Sequence, residues 1–141
     1  MTMTTTYIAF FFTVVVLVTT AYFIMGGIPL LTLSHDTPLD GRFIRRFFEI
    51  YYTCALMGAV GATLSYAAWG RPVFALGAAG IACGVLFLRR NILPAMARLG
   101  ASIQASDPGA IAGFRRVHTA ALLANLVQLL LVVWGILNIS V

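Results

Sequence analysis

The run RRVHTAALLANLVQLLLVVWGIL, residues 115–137, is apolar except at a few places, and those places are spaced. His118 and Asn125 are seven residues apart, so a helix puts them on one face, two turns from each other. Gln128 follows three residues later and flanks that face, while Arg115 lies one turn before His118. Polar side chains inside a membrane-spanning helix usually face the bundle interior and find partners there. Glu49 is the only acid within an apolar segment, and it is a natural partner for the basic end of this face. Arg115 or His118 would neutralise it from across the bundle, and Arg45 or Arg46 would do so from its own helix. His35 and Asp36 close the first apolar segment on the same side.

Three chemistries fit this buried polar cluster of Glu49, Arg115, His118, Asn125 and Gln128. The first is structural: interhelical hydrogen bonds that fix register more than they add stability, at under about 1 kcal/mol each. The second is ligation of haem or a metal by His118 with His35, since neutral imidazole is the commonest protein metal ligand. The third is a site for a quinone, a lipid headgroup or another anion, using the arginine cluster. Arg42, Arg45, Arg46, Arg89, Arg90 and Arg116 would in any case attract anionic lipid beside a membrane. No nucleophile with an adjacent base, Gly-rich phosphate loop or pair of catalytic carboxylates can be recognised. Cys54 and Cys83 lie in apolar segments without CxxC spacing, so they read as packing residues.

The elements that must position these residues are membrane helices. The 141 residues are 61% hydrophobic and 9% charged, against roughly a quarter charged in a soluble domain. This composition predicts one integral membrane domain over 1–141: an all-α four-helix bundle with antiparallel up-down connectivity. Four segments are long enough to span, roughly Tyr7–Leu33, Phe47–Ala68, Val73–Arg90 and Val117–Ile139. The segment MTMTTTYIAFFFTVVVLVTTAYF lacks a basic leader, and its apolar run outlasts the ~7–15 residues of a signal core, so it reads as a retained first span.

All nine basic residues are arginine. Arg71 falls on the side of the two termini, whereas Arg42, Arg45, Arg46, Arg89, Arg90, Arg98, Arg115 and Arg116 fall on the other. The positive-inside rule puts the arginine-rich side in the cytoplasm and both termini outside, in a bacterial inner membrane. The net charge of +5 therefore belongs to topology and does not point to nucleic acid.

The helices are expected to extend past the bilayer on the basic side. Thr37-Pro38-Leu39-Asp40 is a capping signal, with Thr37 as N-cap and Pro38 at the first helical position. Asp107-Pro108 suggests a similar start for the fourth helix, and Pro94 a kink or break in the continuation of the third. Gly26-Gly27-Ile28-Pro29 disrupts the first helix near its end, either as a simple kink or as a break lining a cavity. Cys54, Gly58, Gly61 and Ser65 form a small-residue stripe on the second helix; Gly77, Gly80 and Gly84 form one on the third. Small residues let membrane helices approach closely, so the two stripes are expected to pack against each other.

The segments FIRRFFEIYY, NILPAMARL and GFRRVHTAALLANLVQLLL resemble a group of small four-helix bacterial membrane proteins. That group is distantly similar to the copper-resistance protein CopD and to HemJ-type protoporphyrinogen oxidases. The resemblance implies a four-helix bundle in which His118 faces inward. Its HemJ-like branch binds haem b through a histidine and uses a functional lysine, and this chain contains no lysine. Copper handling of the CopD type implies more methionine and histidine than Met25, Met57, Met96, His35 and His118 supply. The function expected is a non-enzymatic accessory or assembly subunit of a larger membrane complex or homo-oligomer, with Phe10, Phe11 and Phe12 offering a docking surface. The alternative is a haem b-binding redox membrane protein of CopD/HemJ-like type.

Overall fold

A computed structural model describes residues 3–34, 37–105 and 107–139. It is all-helical over those residues: α1 Met3–Leu30, α2 Pro38–Ala68, α3 Pro72–Gln104 and α4 Ala110–Leu137. All four are long and apolar enough to cross a membrane. They hold 28 to 33 residues, which at about 1.5 Å each gives roughly 42–50 Å, more than the ~30 Å hydrocarbon core. Each helix touches the next in sequence, and α4 closes the ring on α1.

The ends of α2 follow from local chemistry. Thr37 is extended, and its Oγ1 accepts a hydrogen bond from Asp40 N at 3.3 Å, as the capping signal predicts. At the other end Gly70 takes φ +77, a conformation that side chains with a Cβ disfavour. Arg71 N then donates to Tyr66 O at 2.9 Å and Gly70 N to Ala67 O at 3.1 Å. This pair of bonds ties off the last carbonyls of α2 in a Schellman turn. Pro72 starts α3 at once, and the Arg71 guanidinium lies over the Trp69 ring at 5.0 Å.

The start of the fourth helix needs correction, and the two proline sites lie inside continuous helices. Pro94 does not break α3, which continues to Gln104. Proline removes one donor and crowds the carbonyl of Arg90 four residues earlier, but Pro94 is exposed, so its ring costs no core packing. The fourth helix starts at Ala110, two residues beyond Pro108, because Asp107 Oδ1 first accepts from Gly109 N at 3.0 Å in a turn. The first helix runs through Pro29 and ends at Leu30, where Leu31 N still reaches Gly27 O at 3.2 Å. Its two glycines are set against protein: a Cβ on Gly26 would lie 2.9 Å from the Phe47 ring, and one on Gly27 would lie 2.5 Å from Leu122.

The stripe-to-stripe packing of α2 on α3 is not what forms. Gly58 of α2 faces Val15 and Val16 of α1, and Gly61 receives the Phe12 ring. Ser65 is buried nearby, while Cys54 is exposed at the surface. Spacing shows that a helix face is small; it does not show which neighbour uses it. Gly77, Gly80 and Gly84 of α3 are exposed, and a Cβ on any of them would meet no atom within 4 Å.

The main core lies toward the end that carries Phe48 and Phe114. Phe23 of α1 stacks on Tyr51 of α2 with centroids 4.0 Å apart and meets Phe48 edge-on at 4.7 Å. Ile44, Tyr52, Val85, Met96, Phe114 and Leu122 complete this cluster. There α3 and α4 come close, and a Cβ on Gly113 would lie 2.9 Å from Leu99.

Candidate functional site

The polar residues of α4 meet α1 and α2 in one buried network. Tyr51 OH donates to Asn125 Oδ1 at 2.5 Å, and Asn125 Nδ2 donates back to Ala121 O at 2.7 Å. Gln128 Nε2 donates to Thr20 Oγ1 at 3.0 Å and to Tyr51 OH at 3.2 Å. Thr20 in turn donates to Val16 O at 2.7 Å. Three helices are thus joined by side chains that are nearly sealed from the surface. Asn125 and Gln128 are brought together as their spacing predicts. Tyr51 and Thr20 are the residues that sequence alone does not pick out as their partners. A threonine that bonds back to its own helix leaves little trace in an apolar run.

His118 is on the same face of α4 and has no exposed surface. Its ring meets Phe48 edge-on at 5.0 Å, and its Nε2 lies 3.8 Å from where a Cβ on Gly27 would sit. The second histidine of the expected pair, His35, lies outside the described residues. Phe48 of α2 and the Gly27 turn of α1 lie beside the His118 imidazole. Among the described residues, no three His, Cys, Asp or Glu side chains come together to hold a metal.

Glu49 and Arg115 do not join the buried network. Glu49 Oε2 pairs with Arg46 Nη1 at 2.9 Å, one turn away on its own helix, with both side chains well exposed. Arg115 is exposed, and its Nη2 donates to Leu33 O at 3.3 Å and Ser34 O at 3.4 Å, where α1 has ended. Long side chains near a helix end reach the interface in this way instead of entering the core. Arg42 and Arg45 line a smaller cavity of about 170 Å³ between the start of α2 and the end of α3. Arg90 and Arg116 are exposed and Arg89 is half-buried. Cys54 and Cys83 are both free and exposed.

A larger opening lies beside the network. From Val73 to Leu88 of α3 and from Ala124 to Ile139 the chain lines a groove of about 590 Å³. Its inner wall is Val16 of α1 with Ala59, Ala62 and Tyr66 of α2, and Gly77, Gly80 and Gly84 form one side. The lining is almost wholly apolar; Thr13, Tyr66, Gln128, Asn138 and the Trp134 indole are its few polar contributors. Such a groove offers surface for an apolar body and a small number of fixed hydrogen-bonding points. It holds no acid–base or nucleophilic pair. No family model matches this chain, and neither curated proteins nor solved structures supply a match.

Proposed function

We propose that the protein is an accessory or assembly subunit of a larger membrane complex, without catalytic activity of its own. A transmembrane helix of that complex seats in the groove between α3 and α4. The observation that carries this reading is the open stripe of Gly77, Gly80 and Gly84. On α2 the same kind of stripe is occupied, since Gly58 and Gly61 seat Val16 and Phe12 of α1. On α3 the corresponding stripe is open, with no atom of the described residues within 4 Å of a Cβ placed at Gly77, Gly80 or Gly84. In lipid, helix association depends on close van der Waals fit, which such small-residue faces supply.

In the membrane the four helices run up and down in an antiparallel bundle. The arginine-rich ends lie in the cytoplasm and both termini outside, in a bacterial inner membrane; the eight-to-one division of arginines supports this orientation. FIRRFFEIYY and GFRRVHTAALLANLVQLLL, which carry the likeness to CopD- and HemJ-type proteins, supply Tyr51, Asn125 and Gln128 to the network.

The test is site-directed photo-crosslinking in native membranes. Val127 and Leu131 are exposed and line the groove, whereas Met57 and Leu64 are exposed on α2 away from it. A crosslinker at the first two positions is expected to give a discrete protein adduct that the second two do not. Lipid adducts alone at Val127 and Leu131, or the same adducts from all four positions, would contradict the proposal.

A further inference from the structure

The geometry points to a specific requirement on the occupant of the groove: at the depth of Gln128, the docking helix carries a hydrogen-bond donor. This rests on the docking proposal and goes one step deeper into the same site. The orientation of the Gln128 amide follows from where the neighbouring hydrogens go. Thr20 gives its hydroxyl hydrogen to Val16 O, and Tyr51 gives its own to Asn125 Oδ1. Each hydroxyl oxygen is left as an acceptor toward Gln128, so the amide atom facing both must be Nε2. Both Nε2 hydrogens are used there. The carbonyl Oε1 is left over, without a hydrogen-bond donor among the described residues, on a side chain that is 93% buried and lines the groove.

Gln128 sits near the middle of the apolar run that begins at Val117. At that depth the lipid offers no donor, and an unmet carbonyl is costly. Among the groove's polar contributors, Thr13 and Tyr66 already bond to each other at 2.9 Å, and Asn138 lies at the far end of α4. Trp134 also lines the groove but is largely exposed, so Gln128 marks the buried level at which the apolar wall asks for a hydrogen-bond donor. A helix with a small-residue face and one amide or hydroxyl donor supplies both requirements; a plain acyl chain supplies neither.

The probe is a synthetic Leu/Ala helix of about 20 residues with a GxxxG face, carrying either Asn or Leu at its midpoint. Binding to the purified full-length protein is read by energy transfer in neutral lipid vesicles, at low peptide-to-lipid ratio. The Asn peptide is expected to bind about three to ten times tighter than the Leu peptide. Gln128→Leu should erase that preference, while Thr20→Val, which leaves Oε1 in place, should keep it. Gly80→Leu should abolish binding of both peptides. Equal binding of the two peptides to the wild type would overturn the donor requirement and leave the docking seat intact. Failure of both peptides to bind would overturn the seat and the requirement together.

Discussion

Tyr51 on α2 gives its hydroxyl hydrogen to Asn125 on α4 across 2.5 Å, joining two helices whose backbones do not approach each other. The bond crosses the bundle at the level where Gln128 also draws in Thr20 from α1. Tyr51→Phe leaves Asn125 Oδ1 without its donor in an apolar setting. The expected loss is about 0.5–2 kcal/mol. A double-mutant cycle of Tyr51→Phe with Asn125→Leu, read by unfolding in bicelles, should show coupling of that size; additive effects would contradict the network.

The glycines of α2 and α3 should respond in opposite ways. A methyl group at Gly61 runs into the Phe12 ring, so Gly61→Ala should destabilise the isolated bundle by about 1–3 kcal/mol. Phe12→Ala should relieve part of that loss. Gly77→Ala and Gly84→Ala meet open space and should stabilise the bundle by roughly 0.5–1 kcal/mol through helix propensity. Thermal melts of the three variants in detergent would separate these signs, and loss of stability in all three would refute the assignment of the two stripes.

His118 is a packed core residue. Removing its ring leaves a cavity between Phe48, Leu122 and α1, so His118→Ala should cost about 2–4 kcal/mol. Haem b titrated into the wild-type protein should give no saturable Soret band. A saturable band that disappears in His118→Ala would show that the ring can leave its packing and ligate iron.

The Glu49–Arg46 pair is exposed at both partners, and water and salt weaken it. Glu49→Gln should change stability by less than about 1 kcal/mol, with no added effect when Arg46 is also replaced by Gln. A loss of several kcal/mol would mean that Glu49 serves a buried partner after all.

The helices themselves are legible in the sequence, because apolar runs of this length have few alternatives in lipid. The start of α2 is legible too, since Thr37-Pro38 and Asp40 fix a cap by chemistry that needs no neighbours. Grouping Asn125 with Gln128 follows from helical spacing alone. Their partners are not legible, because which residue of α2 meets Asn125 depends on how far each helix is rotated about its axis. The same rotation decides that Gly58 and Gly61 seat α1 and leaves Gly77, Gly80 and Gly84 open. Charge also misleads within a span: Glu49 stands near His118 in the pattern, yet Arg46 one turn away reaches it at lower cost.

The most direct test of the account is the mass of the assembly released from native membranes by gentle extraction, for the wild type and for Gly80→Leu/Gly84→Leu. The account predicts that the wild-type chain, 15.2 kDa alone, emerges in a larger assembly with other proteins, and that the leucine variant emerges without them. A wild-type chain released alone would contradict it. So would an assembly whose mass is a whole multiple of 15.2 kDa, which would put a second copy in the groove, or one that the leucines leave unchanged.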